Sequence, residues 1–286
     1  MKISVALNSA KAELKKTHSD PNLSSIALDA LLILSHVTSL SKEEIIFNPD
    51  SELDKSQEEF FFTLILRRKN YEPLSHIIAK REFFGRNFFV NRNVLDPRPD
   101  SEILIELALE QIQSKQKNLK ILELGVGSGC LIITLLALNL NSVGVGIDIS
   151  EEALKICARN AKENLIDDRL QIVRSDLFQQ INPNQKFDLI ISNPPYIKSG
   201  DIENLQPEVK NYEPRIALDG GLDGLDFYHK IAFDAKNFLT EEGKIILEMG
   251  FGQKEEVSEI FVGEGFSQIG LRADLSGIDR GICFCK

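Results

Sequence analysis

Residues 119–129 read LKILELGVGSG, a short apolar run that closes on three glycines spaced two apart. The run is too short for a helix, and its Leu and Ile content suits a strand covered on both faces. Gly125, Gly127 and Gly129 let the backbone turn sharply and approach a ligand closely. The apolar residues that follow predict a helix over 129–138, whose first turn presents free N–H groups and a positive dipole end. Glycines at this spacing arise by chance in tight turns. A strand before them and a helix after them make the turn a ligand-binding loop of an α/β fold.

Outward from this loop the chain alternates strand and helix. Strands are predicted at 119–124, 143–148, 170–174, 187–192, 243–249, 266–272 and 280–285. Helices are predicted near 129–138, 151–164, 225–239 and 253–263. Apolar runs such as VGVGID and DLIIS belong to central strands, so the expected fold class is α/β, a seven-stranded doubly wound sheet. The last two strands, with ADLSGID between them, predict an antiparallel closing hairpin. Residues 197–223 show no strong periodicity, and a loop of that length is usually functional or mobile.

Upstream, residues 1–72 read as a small helical bundle. Ser41 with Glu44 forms a capping box, and Asp54 opens a further helix. His18 and His36 are expected to be surface or packing residues. Residues 73–95, with EPLSHIIAKREFFGRNFFVN, alternate and predict a β-hairpin linker. Residues 96–286 then form the α/β domain.

The composition narrows the function classes. The 286 residues are 43% hydrophobic and 27% charged, as expected of a globular protein with a substantial core. No run is long enough for a membrane span, and the first residues lack the pattern of a secretory signal, so a cytoplasmic location is expected. The formal charge is -10. Residues 1–90 carry 12 basic and 12 acidic residues, so the remainder, with 21 basic and 31 acidic, holds the whole excess. An acidic domain argues against nucleic acid as substrate. The four cysteines, Cys283-x-Cys285 included, lack metal-ligand spacing and are expected to be reduced and structural, with no metal site.

The candidate chemistry sits at successive strand ends. Asp148 closes the second strand nineteen residues beyond Gly129, placed to accept hydrogen bonds from ribose hydroxyls. Asp176 closes the third, placed for an adenine amino group, with Leu177 and Phe178 expected to cover the ring. The fourth strand runs FDLIIS into Asn193-Pro194-Pro195-Tyr196. Two prolines there end the strand and fix the direction of the chain.

This arrangement resembles the class I S-adenosylmethionine-dependent methyltransferases. With EPLSHIIAKREFFG, VLDPRPDSE, SNPPYI, EPRIALDGGLDGL and DLSGIDRGI, the chain resembles the HemK/PrmC family over nearly its whole length. That resemblance implies S-adenosyl-L-methionine as cofactor, held along Glu123, Gly125, Val126, Gly127, Ser128 and Gly129, with Asp148, Asp176, Leu177 and Asn193. It implies transfer to the side-chain amide nitrogen of a glutamine in the Gly-Gly-Gln motif of peptide chain release factors, with the N-terminal bundle docking that protein. Asn193, Pro194, Pro195 and Tyr196 are the implied catalytic and substrate-binding residues, with Arg98 near the substrate entrance. Alternatives are glutamine methylation of a ribosomal protein and, further off, adenine N6 methylation. Two positions depart from the family pattern. Glu123 stands where Asp is common, and Asp96 where an apolar residue is common, with no role evident from sequence.

An amide nitrogen is a poor nucleophile, because its lone pair is delocalised. The methyl of a sulfonium is already activated, so alignment matters more than a strong base. The side-chain carbonyl of Asn193 and the backbone carbonyl of Pro194 offer two acceptors for the N–H bonds, and Tyr196 is expected to pack on the planar amide.

Overall fold

A computed structural model describes residues 1–17, 23–112 and 118–286; His18 lies outside the described residues. The chain divides into two units, Met1–Lys80 with Gln206–Tyr212, and Arg81–Leu205 with Glu213–Lys286.

The first unit is helical, with α1 (Ile3–Leu14), α2 (Leu23–Thr38), α3 (Lys42–Phe47), α4 (Lys55–Lys69) and α5 (Leu74–Ile77). Ser41 and Asp54 cap α3 and α4 in reciprocal boxes with Glu44 and Gln57, which satisfies donors that helix starts leave open. Ala6, Ala10, Ile33, Leu34, Phe61 and Leu64 form its core. Inside it, Arg68 donates to Asp29 Oδ2 and to Glu208 Oε1, each at 2.7 Å. Glu208 belongs to the short helix Pro207–Tyr212, whose Tyr212 hydroxyl also donates to the Asn70 carbonyl at 2.7 Å.

The second unit begins with the hairpin β1 (Arg81–Phe83) and β2 (Arg86–Phe88) and the helix α6 (Glu102–Gln111). Then follow β3 (Lys120–Leu124), α7 (Cys130–Leu138), β4 (Val143–Asp148), α8 (Glu151–Glu163), β5 (Leu170–Arg174) and β6 (Phe187–Ser192). With Pro207–Tyr212 as α9, the chain continues through α10 (Asp226–Ala235), β7 (Leu239–Glu248), α11 (Lys254–Gly263), β8 (Ser267–Ala273) and β9 (Asp279–Cys285). The seven-stranded sheet has the order β5-β4-β3-β6-β7-β9-β8. β9 runs antiparallel to both of its neighbours, β7 and the edge strand β8. Side chains of β3 alternate between two cores. Ile121 packs with residues of α6 and α7, whereas Leu122 packs with residues of α10 and α11. Chain order runs one way from β3 through β4 to β5, and the other way through β6 to β7. The reversal between β3 and β6 opens a crevice at their C-terminal ends, where such sheets bind ligands.

Two local expectations change. Pro73 precedes a helical turn at 74–77, and strand pairing covers only 81–83 and 86–88, so the hairpin is shorter than its alternating sequence suggests. Residues 197–223 are ordered at both ends. The Ile197 N–H donates to the Leu218 carbonyl (3.0 Å), and the N–H groups of Gly220 and Ser199 reach the carbonyls of Ile197 and Gly221 (2.8 Å each).

Candidate active site

The crevice is a cleft of about 1080 Å³, open mouth included, walled by the ends of β3, β4 and β6 and the segments that follow β5 and β6. Gly125, Val126, Gly127 and Ser128 line it, as do Glu123, Asp148, Asp176, Leu177, Asn193, Pro195 and Arg98. Gly125 and Gly127 have φ of +69° and +52°, and a Cβ on either would meet open space. Gly129 is different. It has φ +82° and forms the N-cap of α7, and a Cβ there would lie 2.8 Å from both Cys157 Sγ and Ile133 Cδ1. It lets the helix pack; it is not on the cleft wall.

Asp148 takes the Gly127 N–H on Oδ2 (3.0 Å) and the Ser150 N–H on Oδ1 (2.9 Å). Each oxygen keeps a second lone pair for a ligand hydroxyl. Helix capping falls to Ser150, whose hydroxyl accepts the Ala153 N–H (3.2 Å). Burial raises the Asp148 pKa, against the three backbone N–H groups that favour the anion. Glu123 is buried and accepts the Ile132 N–H on Oε2 at 3.0 Å. Burial holds its carboxyl well above the ordinary range, and the nearby Asp148 adds to the effect. A cation in the cleft would relieve both acids. S-adenosyl-L-methionine carries two cationic centres and two ribose hydroxyls, so the acidic wall fits it.

Leu177 sits at φ +47°, a costly conformation for a branched side chain. Ser175 holds it there, donating from Oγ to the Leu177 carbonyl (2.6 Å) and accepting the Gln180 N–H (3.0 Å). Leu177 and Ile149 form an apolar wall beside the exposed Asp176. Phe178, expected over the same ring, turns the other way. It is buried in the core, stacked on Phe238 at 4.7 Å, with the partly buried Leu177 packed against the edge of the same core.

At the end of β6, the Ser192 hydroxyl donates to the Leu124 carbonyl (2.8 Å), which ties this strand end to the glycine-rich loop. Asn193 follows and lines the cleft; its Nδ2 donates to Ser101 Oγ at 3.2 Å. Pro194 is buried and off the cleft wall, although its carbonyl accepts no hydrogen bond from the described residues. Tyr196 is also off that wall. Its ring packs against the α10–α11 core, and its hydroxyl donates to Glu248 Oε1 at 3.1 Å. Burial, with Glu248 beside it, keeps the phenol protonated by raising its pKa. Gln253 fixes the exit of the motif, donating to the Tyr196 carbonyl (3.1 Å).

Arg98 does not project freely. Its Nη2 donates to both carboxylate oxygens of the buried Glu213, at 2.7 and 2.8 Å. Asp96 now has a partner as well, since Arg81 Nη1 lies 3.7 Å from its Oδ2. Sequence patterns do not mark Ser101 or Glu248 as site residues, although Glu248 ends an apolar strand directly beside β6. Among the described residues, no cluster of His, Cys, Asp and Glu is arranged to hold a metal ion. No described helix is long and apolar enough to cross a membrane.

Comparison with known proteins places the chain in a family. Residues 6–78 match the PrmC N-terminal domain, and residues 99–208 match the methyltransferase small domain. The chain is 38% identical to the release factor glutamine methyltransferase of Agrobacterium fabrum, over 90% of this chain and 89% of that one. Against the protein of the same name from Clostridium acetobutylicum it is 36% identical, over 98% and 97%. It is 39% identical to the bifunctional methyltransferase of Rickettsia conorii, over 92% of this chain, and spans 54% of that protein. Among solved structures, the hMettl16 catalytic domain in complex with MAT2A 3'UTR hairpin 6 superposes with a TM-score of 0.58 at 15% identity, covering 81% of this chain and 82% of that one. The ribosomal protein L11 methylase of Lactobacillus delbrueckii subsp. bulgaricus gives 0.50 at 18%, covering 66% and 80%. At these identities the structural likeness concerns the fold alone.

Proposed function

This chain belongs to the release factor glutamine methyltransferase family, and we propose that it methylates the side-chain amide nitrogen of a glutamine in peptide chain release factors, within their Gly-Gly-Gln motif. The observation that carries this is the Asn193 carboxamide, held at the switch point of the sheet on the same cleft wall as Glu123 and Asp148. S-adenosyl-L-methionine, when bound, supplies a methyl group activated by its sulfonium.

The residues of the chain do the rest. Asp148 accepts hydrogen bonds from ribose hydroxyls, and Leu177 with Ile149 flanks the base beside Asp176. Glu123 faces the cationic methionine end. Asn193 accepts one N–H of the substrate amide through its side-chain oxygen, and the second is assigned to the Pro194 carbonyl, which accepts no hydrogen bond from the described residues although Pro194 itself is off the cleft wall. Both acceptors bind more strongly as the nitrogen gains positive character, so they favour the transition state over the ground state. Tyr196 acts from behind this pair. Its phenol is tied to Glu248, so it holds the motif in place. The acidic surface charge of the domain suits a protein acceptor better than a polyanion. The helical unit is the docking surface for that protein in this account, and the cytoplasm, where translation takes place, is the expected location.

The test is a competition. The purified chain with S-adenosyl-L-methionine is offered a release factor and a ribosomal protein together. Methyl transfer to the release factor is expected. Transfer to the ribosomal protein alone, or to RNA added in their place, would overturn the assignment.

A further inference from the structure

We propose that Ser101 and Glu248 are positioning residues that lock the Asn193 carboxamide with its oxygen turned toward the substrate. The proposal rests on the assignment of Asn193 as the acceptor of the amide N–H.

Asparagine is ambiguous as an acceptor. Its oxygen and its NH₂ are nearly the same size, and rotation by half a turn exchanges them. With the NH₂ toward the cleft, the site would face a substrate NH₂ with a second donor and repel it. Some group must break this symmetry, and the network behind Asn193 does so. Glu248 is buried, the last residue of β7, beside the end of β6 where Ser192 pairs with Leu247. It receives the Tyr196 hydroxyl on Oε1 at 3.1 Å and the Ser101 hydroxyl on Oε2 at 2.5 Å. In its ionised form, which the two hydroxyls and the Arg280 charge favour against burial, Glu248 only accepts, so both hydroxyl protons point at it. Ser101 has one proton and has given it to Glu248. Toward Asn193 it therefore shows only lone pairs, which the NH₂ can meet and the amide oxygen cannot. Nδ2 accordingly lies on Ser101 at 3.2 Å. The Asn193 oxygen lies on the opposite side of the planar amide from this bond, on a residue that lines the cleft.

Direction thus passes from an acceptor-only group, through one hydroxyl, to a catalytic amide. Ser101 reaches this place because it closes the 3-10 turn Pro99–Ser101 that leads into α6, a turn anchored by its own N–H to the Arg98 carbonyl at 3.1 Å. Neither Ser101 nor Glu248 needs to touch the reacting atoms.

The experiment combines kinetics with the amide itself. In the full chain with S-adenosyl-L-methionine bound, the Asn193 side-chain ¹⁵N–¹H₂ pair is identified by its disappearance in Asn193→Asp. Ser101→Ala is expected to shift or broaden that pair. It should lower kcat for a release factor by about 10- to 100-fold, as for other misoriented reacting groups. KM for the release factor and affinity for S-adenosyl-L-methionine should stay within about twofold, the pattern of a contact that matters only in the transition state. Ser101→Thr keeps the hydroxyl and should restore both readouts. Glu248→Gln, which can return a proton to Ser101, should lower kcat by about tenfold. An unchanged Asn193 pair with unchanged kcat in Ser101→Ala would overturn the proposal, as would failure of Ser101→Thr to restore them. If Ser101→Ala does not fold, the Thr and Gln variants decide. If the wild type fails to methylate any release factor, the functional assignment falls, and the resonance arm still decides the positioning.

Discussion

Arg98, on the cleft wall, grips the buried Glu213, one guanidinium nitrogen serving both carboxylate oxygens at 2.7 and 2.8 Å. The pair joins two segments distant in sequence, Pro97–Pro99 and Pro214–Ala217, each of which contributes cleft wall. The arginine is therefore a clasp for the wall.

Arg98→Ala should loosen both segments and weaken binding of S-adenosyl-L-methionine, which calorimetry would read. Glu213 keeps its burial but loses a charged partner, and the half-exposed arginine limits the cost to about 1–3 kcal/mol in a denaturation curve. An unaltered affinity together with an unaltered melting temperature would show that the clasp holds nothing.

The three raised carboxyls, Glu123, Asp148 and Glu248, make a prediction about pH. A carboxyl whose folded pKa lies above its unfolded value binds protons more tightly in the fold. Its contribution to stability is full at low pH and is lost as pH rises from the ordinary carboxylate range through the raised folded value. A cationic ligand beside Glu123 offsets that loss. The melting-temperature gain from S-adenosyl-L-methionine should then be larger at about pH 8 than at about pH 5, because ionised acids reward the cation and Asp148 must be ionised to serve two hydroxyls. Glu123→Gln should shrink the difference. Equal gains at both pH values would contradict the roles given to these acids.

Two neighbouring glycines should fail in different ways. Gly129→Ala combines positive φ with a collision on Cys157 and Ile133, and should destabilise by about 2–4 kcal/mol. Gly127→Ala meets no protein atom, so the fold should lose only about 1 kcal/mol to backbone strain while cofactor affinity falls. Melting temperatures and binding isotherms on the two variants separate these effects. Similar losses of stability would erase the distinction between a packing glycine and a cleft glycine.

Leu177 and Phe178 make a parallel contrast. Phe178→Ala removes a stacked core ring and should cost about 3–5 kcal/mol in stability. Leu177→Ala should spare the fold and weaken cofactor binding, since Leu177 lines the cleft. The reverse pattern in the same two measurements would refute the placement of the apolar wall.

Much of this was legible in the sequence, and the reasons are physical. Runs such as KILEL and DLIIS are strands buried on both faces, and few other structures tolerate them. Glycines at a strand–helix junction and acids after the next two strands depend on local geometry alone, and Asp148 and Asp176 both line the cleft. What was hidden depends on distance along the chain or on the direction of one side chain. Ser101 and Glu248 are 147 residues apart, and no pattern announces their hydrogen bond. Leu177 and Phe178 are adjacent apolar residues, and composition does not say which of them lines the cleft and which joins the core. The helix Pro207–Tyr212 is too short for periodicity, and its place in the helical unit comes from Glu208 and Tyr212. The stretch at 74–77 alternates like a strand, yet Pro73 lacks an N–H and suits a helix start.

The most direct test is to locate the methyl group. A release factor incubated with the purified chain and methyl-labelled S-adenosyl-L-methionine is digested, and its peptides are fragmented by mass spectrometry. A single label on the side-chain amide nitrogen of the glutamine in the Gly-Gly-Gln loop, absent with Asn193→Ala although that variant still binds the cofactor, is the predicted result. Label on a lysine or a carboxylate, or undiminished label with Asn193→Ala, would contradict it.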